Sequence, residues 1–156
     1  MSQIEELIQV VARLRSEDGC PWDREQTHDS LKPELIEEAC EIIGGINVYN
    51  ETGNFYNLRE ELGDLLLQVV MHAQIASENG LFNIEDVAED IKNKMIRRHP
   101  HVFGEIILDE NGNEATKWAD IKRIEKANSK AIEPDLRRAF SEGEELINKA
   151  RERKGI

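Results

Sequence analysis

The chain has 156 residues, enough for one domain with a sizeable core, and its 20 Lys and Arg against 32 Asp and Glu leave a formal charge of −12. That charge excludes nucleic acid or an anionic membrane as the main partner, because both would repel the chain. Cys20 and Cys40 lack C-x-x-C or zinc spacing and read as reduced thiols, and with no leader and no apolar run near eighteen residues the expected location is the cytoplasm.

Residues 2–17 read as a first helix: Ser2 and Glu5 make a capping box, and Ile4, Leu7, Ile8, Val11 and Leu14 follow the helical period. Residues 18–23 form a loop around Gly19 and Pro21. Its indole, Trp22, is either a lid over the core or a platform for a planar ligand. A second helix spans 31–48 with Pro33 in its first turn, and it ends in the polar stretch 50–54, where Gly53 serves the reversal.

The third helix, 55–79, has Asn57 and Glu60 as a capping pair. Its apolar residues (Leu62, Leu65, Leu66, Val69, Val70, Ala73, Ala76) cover more than one face, so it needs partners on two sides and dimerisation is the expectation. Gln68 and His72 continue one stripe of this helix, His72 reading as a hydrogen-bonded core imidazole.

Asn83 can cap a fourth helix over 84–98, stopped by Pro100. Lys94, Arg97 and Arg98 share a face near its end, where cations either complement the helix dipole or meet a phosphate. His99 and His101 read as packed loop histidines, with metal ligation the alternative. Residues 105–113 look like a loop with a short extended piece. A fifth helix over 114–130 carries Trp118 and Lys122 at i, i+4, and Pro134 opens a strongly charged final helix reaching residue 154. The fold class is all-α.

The chemistry lies on the second and third helices. Glu38 and Glu41 are three residues apart, as are Glu61 and Asp64, which puts each pair on one helix face a turn apart. The same spacing recurs at Glu34/Glu37, Asp86/Glu89 and Glu142/Glu145, and an isolated pair is a solvated acidic face. Two pairs in apolar runs are different, because four carboxylates on a packed seam repel one another unless a cation sits between them. Hard oxygen donors point to Mg²⁺, with Mn²⁺ possible. A di-iron bundle would need Glu-x-x-His pairs, which are missing here. A non-catalytic acidic helical protein that binds a partner would explain the helices and the charge, but leaves the basic island unexplained.

Glu37-Glu38-x-x-Glu41 followed by Glu61-x-x-Asp64 resembles the signature of the MazG family of nucleoside triphosphate pyrophosphohydrolases, within the all-α NTP pyrophosphatase superfamily. Gly19-Cys20-Pro21-Trp22-Asp23-x-x-Gln26-Thr27-His28, Gly63-Asp64-Leu65-Leu66-x-Gln68-Val69-Val70 and Arg97-Arg98-His99-Pro100-His101-Val102-Phe103 extend the resemblance over residues 1 to about 126. It implies a helical bundle completed as a homodimer or dimer of dimers. It also implies Mg-dependent cleavage of the α–β phosphoanhydride bond, giving nucleoside monophosphate and pyrophosphate for nucleotide-pool house-cleaning.

On that resemblance Glu38, Glu41, Glu61 and Asp64 are the metal ligands, and Glu37 is a general base or outer-shell orienter. Lys94, Arg97, Arg98 and Lys122 neutralise phosphate, and Trp22 and Trp118 lie near the nucleotide. Related enzymes specific for dUTP, modified dCTP or a phosphoribosyl-ATP remain alternatives within the class. The expected division is a MazG-like domain over 1–130 and a charged helical extension over 131–156, since Glu142/Glu145 are not followed by a second acidic pair.

Overall fold

The computed structural model describes residues 1–104, 106–115 and 117–156. Among them the chain forms eight helices: α1 (Gln3–Leu14), α2 (Pro21–Glu25), α3 (Lys32–Thr52), α4 (Tyr56–Glu78), α5 (Ile84–Arg98), α6 (Pro100–Phe103), α7 (Trp118–Asn128) and α8 (Leu136–Lys154). The fold is all-α, and the β pairing among the described residues is an isolated antiparallel bridge between Leu108 and Glu114. Two compact units result, one of Met1–Ile84 with Asp135–Ile156 and the other of Glu85–Pro134. Among the described residues no helix is long and apolar enough to cross a membrane.

In the first unit, α1 opens with the expected box: Ser2 Oγ accepts from the Glu5 amide at 3.3 Å, and Glu5 Oε2 accepts from the Ser2 amide at 2.6 Å. The helix stops at Leu14, short of residue 17, because the chain folds back on its end. The Cys20 amide donates to the Leu14 carbonyl at 2.7 Å, and a Cβ on Gly19 would stand 2.1 Å from that same oxygen. Only glycine fits there. Pro21, with its φ already near helical values, then starts α2 inside the stretch expected to be a loop.

Arg15 ties these pieces together. Its guanidinium donates to both Glu78 oxygens at 2.8 Å, to the Asp23 carbonyl at 2.5 Å and to the Gln26 carbonyl at 3.1 Å, although the side chain is only 6% exposed. Burial of a charge this deep is tolerated because every bond has a charged or carbonyl acceptor.

The core joins Val11 of α1, Leu31, and Val70, Met71 and Ile75 of α4, with Leu7, Ile8, Leu67 and Ile84 packed around them. Helix α4 packs on α1 and α3, and α8 lies on α3. Helices α3 and α4 approach closely at Gly45, where a Cβ would come within 2.9 Å of the Leu58 Cα. The expected Asn57 cap is overturned: α4 begins at Tyr56, whose amide donates to Asn54 Oδ1 at 3.0 Å, and Asn57 lies inside the helix. Gly53, in the left-handed region at φ 74°, ends α3 so near to α4 that the cap falls before Tyr56.

In the second unit α7 begins at Trp118 rather than 114. Glu114 is held in the bridge to Leu108, the Ala115 amide donates to the Ile107 carbonyl at 2.7 Å, and Asp109 Oδ1 accepts from the amides of Asn111 and Asn113 at 2.8 and 2.9 Å. These bonds make the short extended piece and use backbone groups that a helix would need. Of the stretches read as loop and fifth helix, Glu105 and Thr116 lie outside the described residues. Ile121 of α7 is fully buried.

Candidate functional site

Because Gly45 brings α3 close to α4, Glu38 from one helix meets Glu61 and Asp64 from the other. One carboxylate oxygen of each lies within 4.8 Å of the other two. Glu38 Oε2 is buried and has no hydrogen-bond partner among the described residues. Burial, then the charges of Asp64, Glu41, Glu61 and Glu37, push the Glu38 carboxyl up to about 6. Glu61 is raised as well, by burial first and by Glu41 and Asp64, with a further hydrogen bond to Glu41. A buried oxygen with nothing to bond, in an all-carboxylate group, suits a hard divalent cation.

The other two predicted acids face α8. Glu37 takes Arg153 Nη2 at 2.7 Å and Lys154 Nζ at 2.8 Å, and Lys154 Nζ also bonds Glu41 Oε1. The Lys154 ammonium and then the Arg153 guanidinium hold Glu37 below the usual carboxylate range, and Glu37 and Glu41 hold Lys154 above the usual amine range. The structure thus gathers Glu38, Glu61 and Asp64 and places Glu41 at their edge, between Glu61 and a lysine.

On the stripe beyond Asp64, Gln68 is buried and its amide donates to Glu34 Oε2 at 3.3 Å. His72 bonds His28 through their Nδ1 atoms at 2.8 Å, with the rings parallel and 5.1 Å apart. Trp22 on α2 is 55% exposed, so it is no lid over the core; its surface is open to a ligand.

In the second unit Lys94, Arg97, Arg98 and Lys122 line one open cavity of about 1070 Å³. Glu125 fixes its guanidiniums, accepting from Arg97 Nε at 3.2 Å and from Arg98 Nη2 at 2.8 Å. Burial alone would raise Glu125, but the two arginines outweigh it and hold it low. Trp118 has Lys122 Nζ 4.8 Å and Arg98 Cζ 5.2 Å from its ring centre, cation–π distances that hold both cations at the cavity. His99 Nδ1 bonds the Met95 carbonyl one turn back on α5 at 2.6 Å, whereas His101, read as a packed loop histidine, lies exposed on α6.

Sequence reasoning missed Glu125, Arg153 and Lys154. Each is one acid or base among many, and its role depends on a contact made across the fold. Only the charge excess at the end of α8 hinted at the last two.

The chain matches the model of the MazG nucleotide pyrophosphohydrolase domain over residues 26–103, a span holding all five acids and the α5 basic residues. It is 53% identical over 127 residues to the nucleoside triphosphate pyrophosphohydrolase/pyrophosphatase MazG of Thermotoga maritima, covering 81% of this chain and 47% of that protein. To the nucleoside triphosphate pyrophosphohydrolase of Escherichia coli K12 it is 42% identical over 128 residues, covering 81% and 47%. To the uncharacterized protein YabN of Bacillus subtilis it is 43% identical over 122 residues, covering 78% and 24%. The chain therefore spans about half or less of the length of these relatives. With its paired acids inside the matched span and its fold all-α, the chain belongs to the MazG family.

Proposed function

We propose that the chain hydrolyses nucleoside triphosphates at the α–β phosphoanhydride bond, releasing nucleoside monophosphate and pyrophosphate, with Mg²⁺ or Mn²⁺ as its ion. The observation that carries this reading is the convergence of Glu38, Glu61 and Asp64 around an unpartnered buried oxygen. The family match and the activity named for the Thermotoga and Escherichia relatives supply the substrate class. Glu38, Glu61 and Asp64 would hold the ion, with Glu41 joining from the edge. Such an ion, when bound, withdraws charge from phosphoryl oxygens and activates an attacking water.

The chain's own contribution is position and charge. Phosphoanhydride cleavage concentrates negative charge on the phosphoryl oxygens and the leaving pyrophosphate, and catalysis consists mostly of stabilising it. Lys94, Arg97, Arg98 and Lys122 are the cations the chain would offer to that charge, and Glu125 holds the two guanidiniums. Trp22 and Trp118 offer ring faces to the nucleotide. Glu37, ion-paired and lowered in proton affinity, orients rather than abstracts. The same reading includes a homodimer in the cytoplasm serving nucleotide-pool house-cleaning. Ile43, Ile46 and Tyr49 of α3 and Leu62, Leu66 and Val69 of α4 are exposed at helical spacing, an apolar surface that a second copy would cover. The free thiols of Cys20 and Cys40 fit a reducing compartment.

The deciding experiment incubates the protein with a panel of ribo- and deoxyribonucleoside triphosphates, with and without Mg²⁺, and separates the products. Metal-dependent monophosphate plus pyrophosphate is expected. Folded protein that turns over no triphosphate, or that releases orthophosphate, refutes the proposal.

A further inference from the structure

We infer that the last turn of α8 is a built-in counter-cation that competes with the divalent ion for Glu41, so that loading the metal and releasing Glu41 from Lys154 are one event. The inference rests on the metal reading above and adds a regulation of the same site.

Of the five acids Glu37, Glu38, Glu41, Glu61 and Asp64, cations of the described residues reach two. Arg153 and Lys154 serve Glu37 and Glu41; the three acids with no ion pair among the described residues, Glu38, Glu61 and Asp64, are the three that converge. Glu41 stands between the two groups, since it bonds Lys154 while its charge bears on Glu38 and Glu61. A carboxylate engaged by an ammonium offers less to a metal, and a metal drawing Glu41 inward takes it from Lys154.

The geometry of α8 makes this exchange inexpensive. The body of the helix is anchored elsewhere: Lys32 Nζ meets Glu142 at 2.8 Å and Ala150 is buried. Its end is different. Gly155 at φ 70° closes the helix, with the Ile156 amide donating to the Arg151 carbonyl at 3.0 Å, and the side chains of Arg153 and Lys154 remain 53% and 43% exposed. Ion pairs this open to water are weak and screened by salt, so a divalent ion can outbid Lys154 for Glu41 while the pairs with Glu37 keep α8 docked.

The test measures Mn²⁺ binding without nucleotide, from the electron paramagnetic resonance signal of the free ion, for wild type, Lys154→Gln, Lys154→Arg, Lys149→Gln and Asp64→Asn. Lys149 is exposed on the same helix and controls for general charge. Lys154→Gln is expected to bind about two- to fivefold tighter, the range over which an exposed ion pair competes. Lys154→Arg and Lys149→Gln should match wild type, and Asp64→Asn should lose binding. Mn²⁺ binding that Lys154→Gln leaves unchanged or weakens overturns the inference alone. Absence of Mn²⁺ binding in wild type and Lys154→Gln overturns the metal reading and the inference with it.

Discussion

Glu38 of α3 and Asp64 of α4 bring carboxylate oxygens within 4.8 Å of each other across two helices, with Glu61 as the third member of the group. Glu38 and Glu61 each stand where burial and the neighbouring carboxylates raise the cost of ionisation. Glu38→Gln or Asp64→Asn should therefore abolish triphosphate hydrolysis while circular dichroism shows unchanged helicity. An essential charge contact is worth about 10²-fold or more, so a variant retaining more than about a tenth of wild-type turnover removes that residue from the ligand set.

The crowding also predicts how stability responds to pH. With Glu38 titrating at about 6 in the fold against an ordinary 4.5, the folded chain binds this proton more tightly than the unfolded one. Stability from this group is therefore present at low pH and is lost as pH rises from 4.5 through about 6. Glu38→Gln removes the ionisation, so in metal-free buffer the variant should gain in melting temperature relative to wild type between about pH 5 and pH 7.5. A difference that stays constant across that range contradicts the assignment.

Gly45 and Gly44 are neighbours with opposite surroundings. A Cβ on Gly45 would meet Leu58 backbone at 2.9 Å, whereas one on Gly44 finds nothing within 4 Å. Gly45→Ala should cost about 1–3 kcal/mol by forcing α3 and α4 apart, and Gly44→Ala should gain about 0.5–1 kcal/mol from helix propensity. Denaturant unfolding of the two variants checks both signs, and equal effects would contradict the close crossing.

The exposed apolar stripes of α3 and α4 predict a dimer mass by light scattering at micromolar protein. Leu62, half exposed on α4, is a suitable probe. Leu62→Glu places a charge in the surface assigned to the second copy and should shift the species to monomer without unfolding it. A wild type that is monomeric under these conditions leaves the stripes without this role.

What could be read from the sequence is what neighbouring residues decide. The Ser2–Glu5 box, the period of α4 and the two acidic pairs are local patterns, and the structure has the box and α4 where those patterns put them, whereas α1 stops short of residue 17 and α3 runs on to Thr52 through residues read as a polar loop. Helices α2 and α6 escaped because each has only a few residues and begins at a proline. The cap of α4 was misplaced because Gly53 fixes where α3 ends, and that conformation leaves Asn54 rather than Asn57 facing the free amide. The end of α7 nearest Thr116 was misread because backbone pairing around Asp109 competes with helix. Lys154 on Glu41 joins residues 113 positions apart, and no periodicity records such a contact. Likewise the basic run at Arg97 and Arg98 was visible, but the Glu125 that pairs with both was one acid among many.

The bonds of Arg15 have a bearing on Trp22. The guanidinium holds the carbonyls of Asp23 and Gln26, just after the indole, and Gln26 Nε2 donates to the carbonyl of Trp22 itself at 2.9 Å. The segment that exposes the ring is thus ordered from below, by bonds that no ligand has to supply. A planar molecule settling on Trp22 would lose its own freedom, but the chain beneath has already surrendered its share. Recognition on this face should consequently show a small entropic penalty, and loosening Arg15 should weaken it without altering a single atom that touches the ligand.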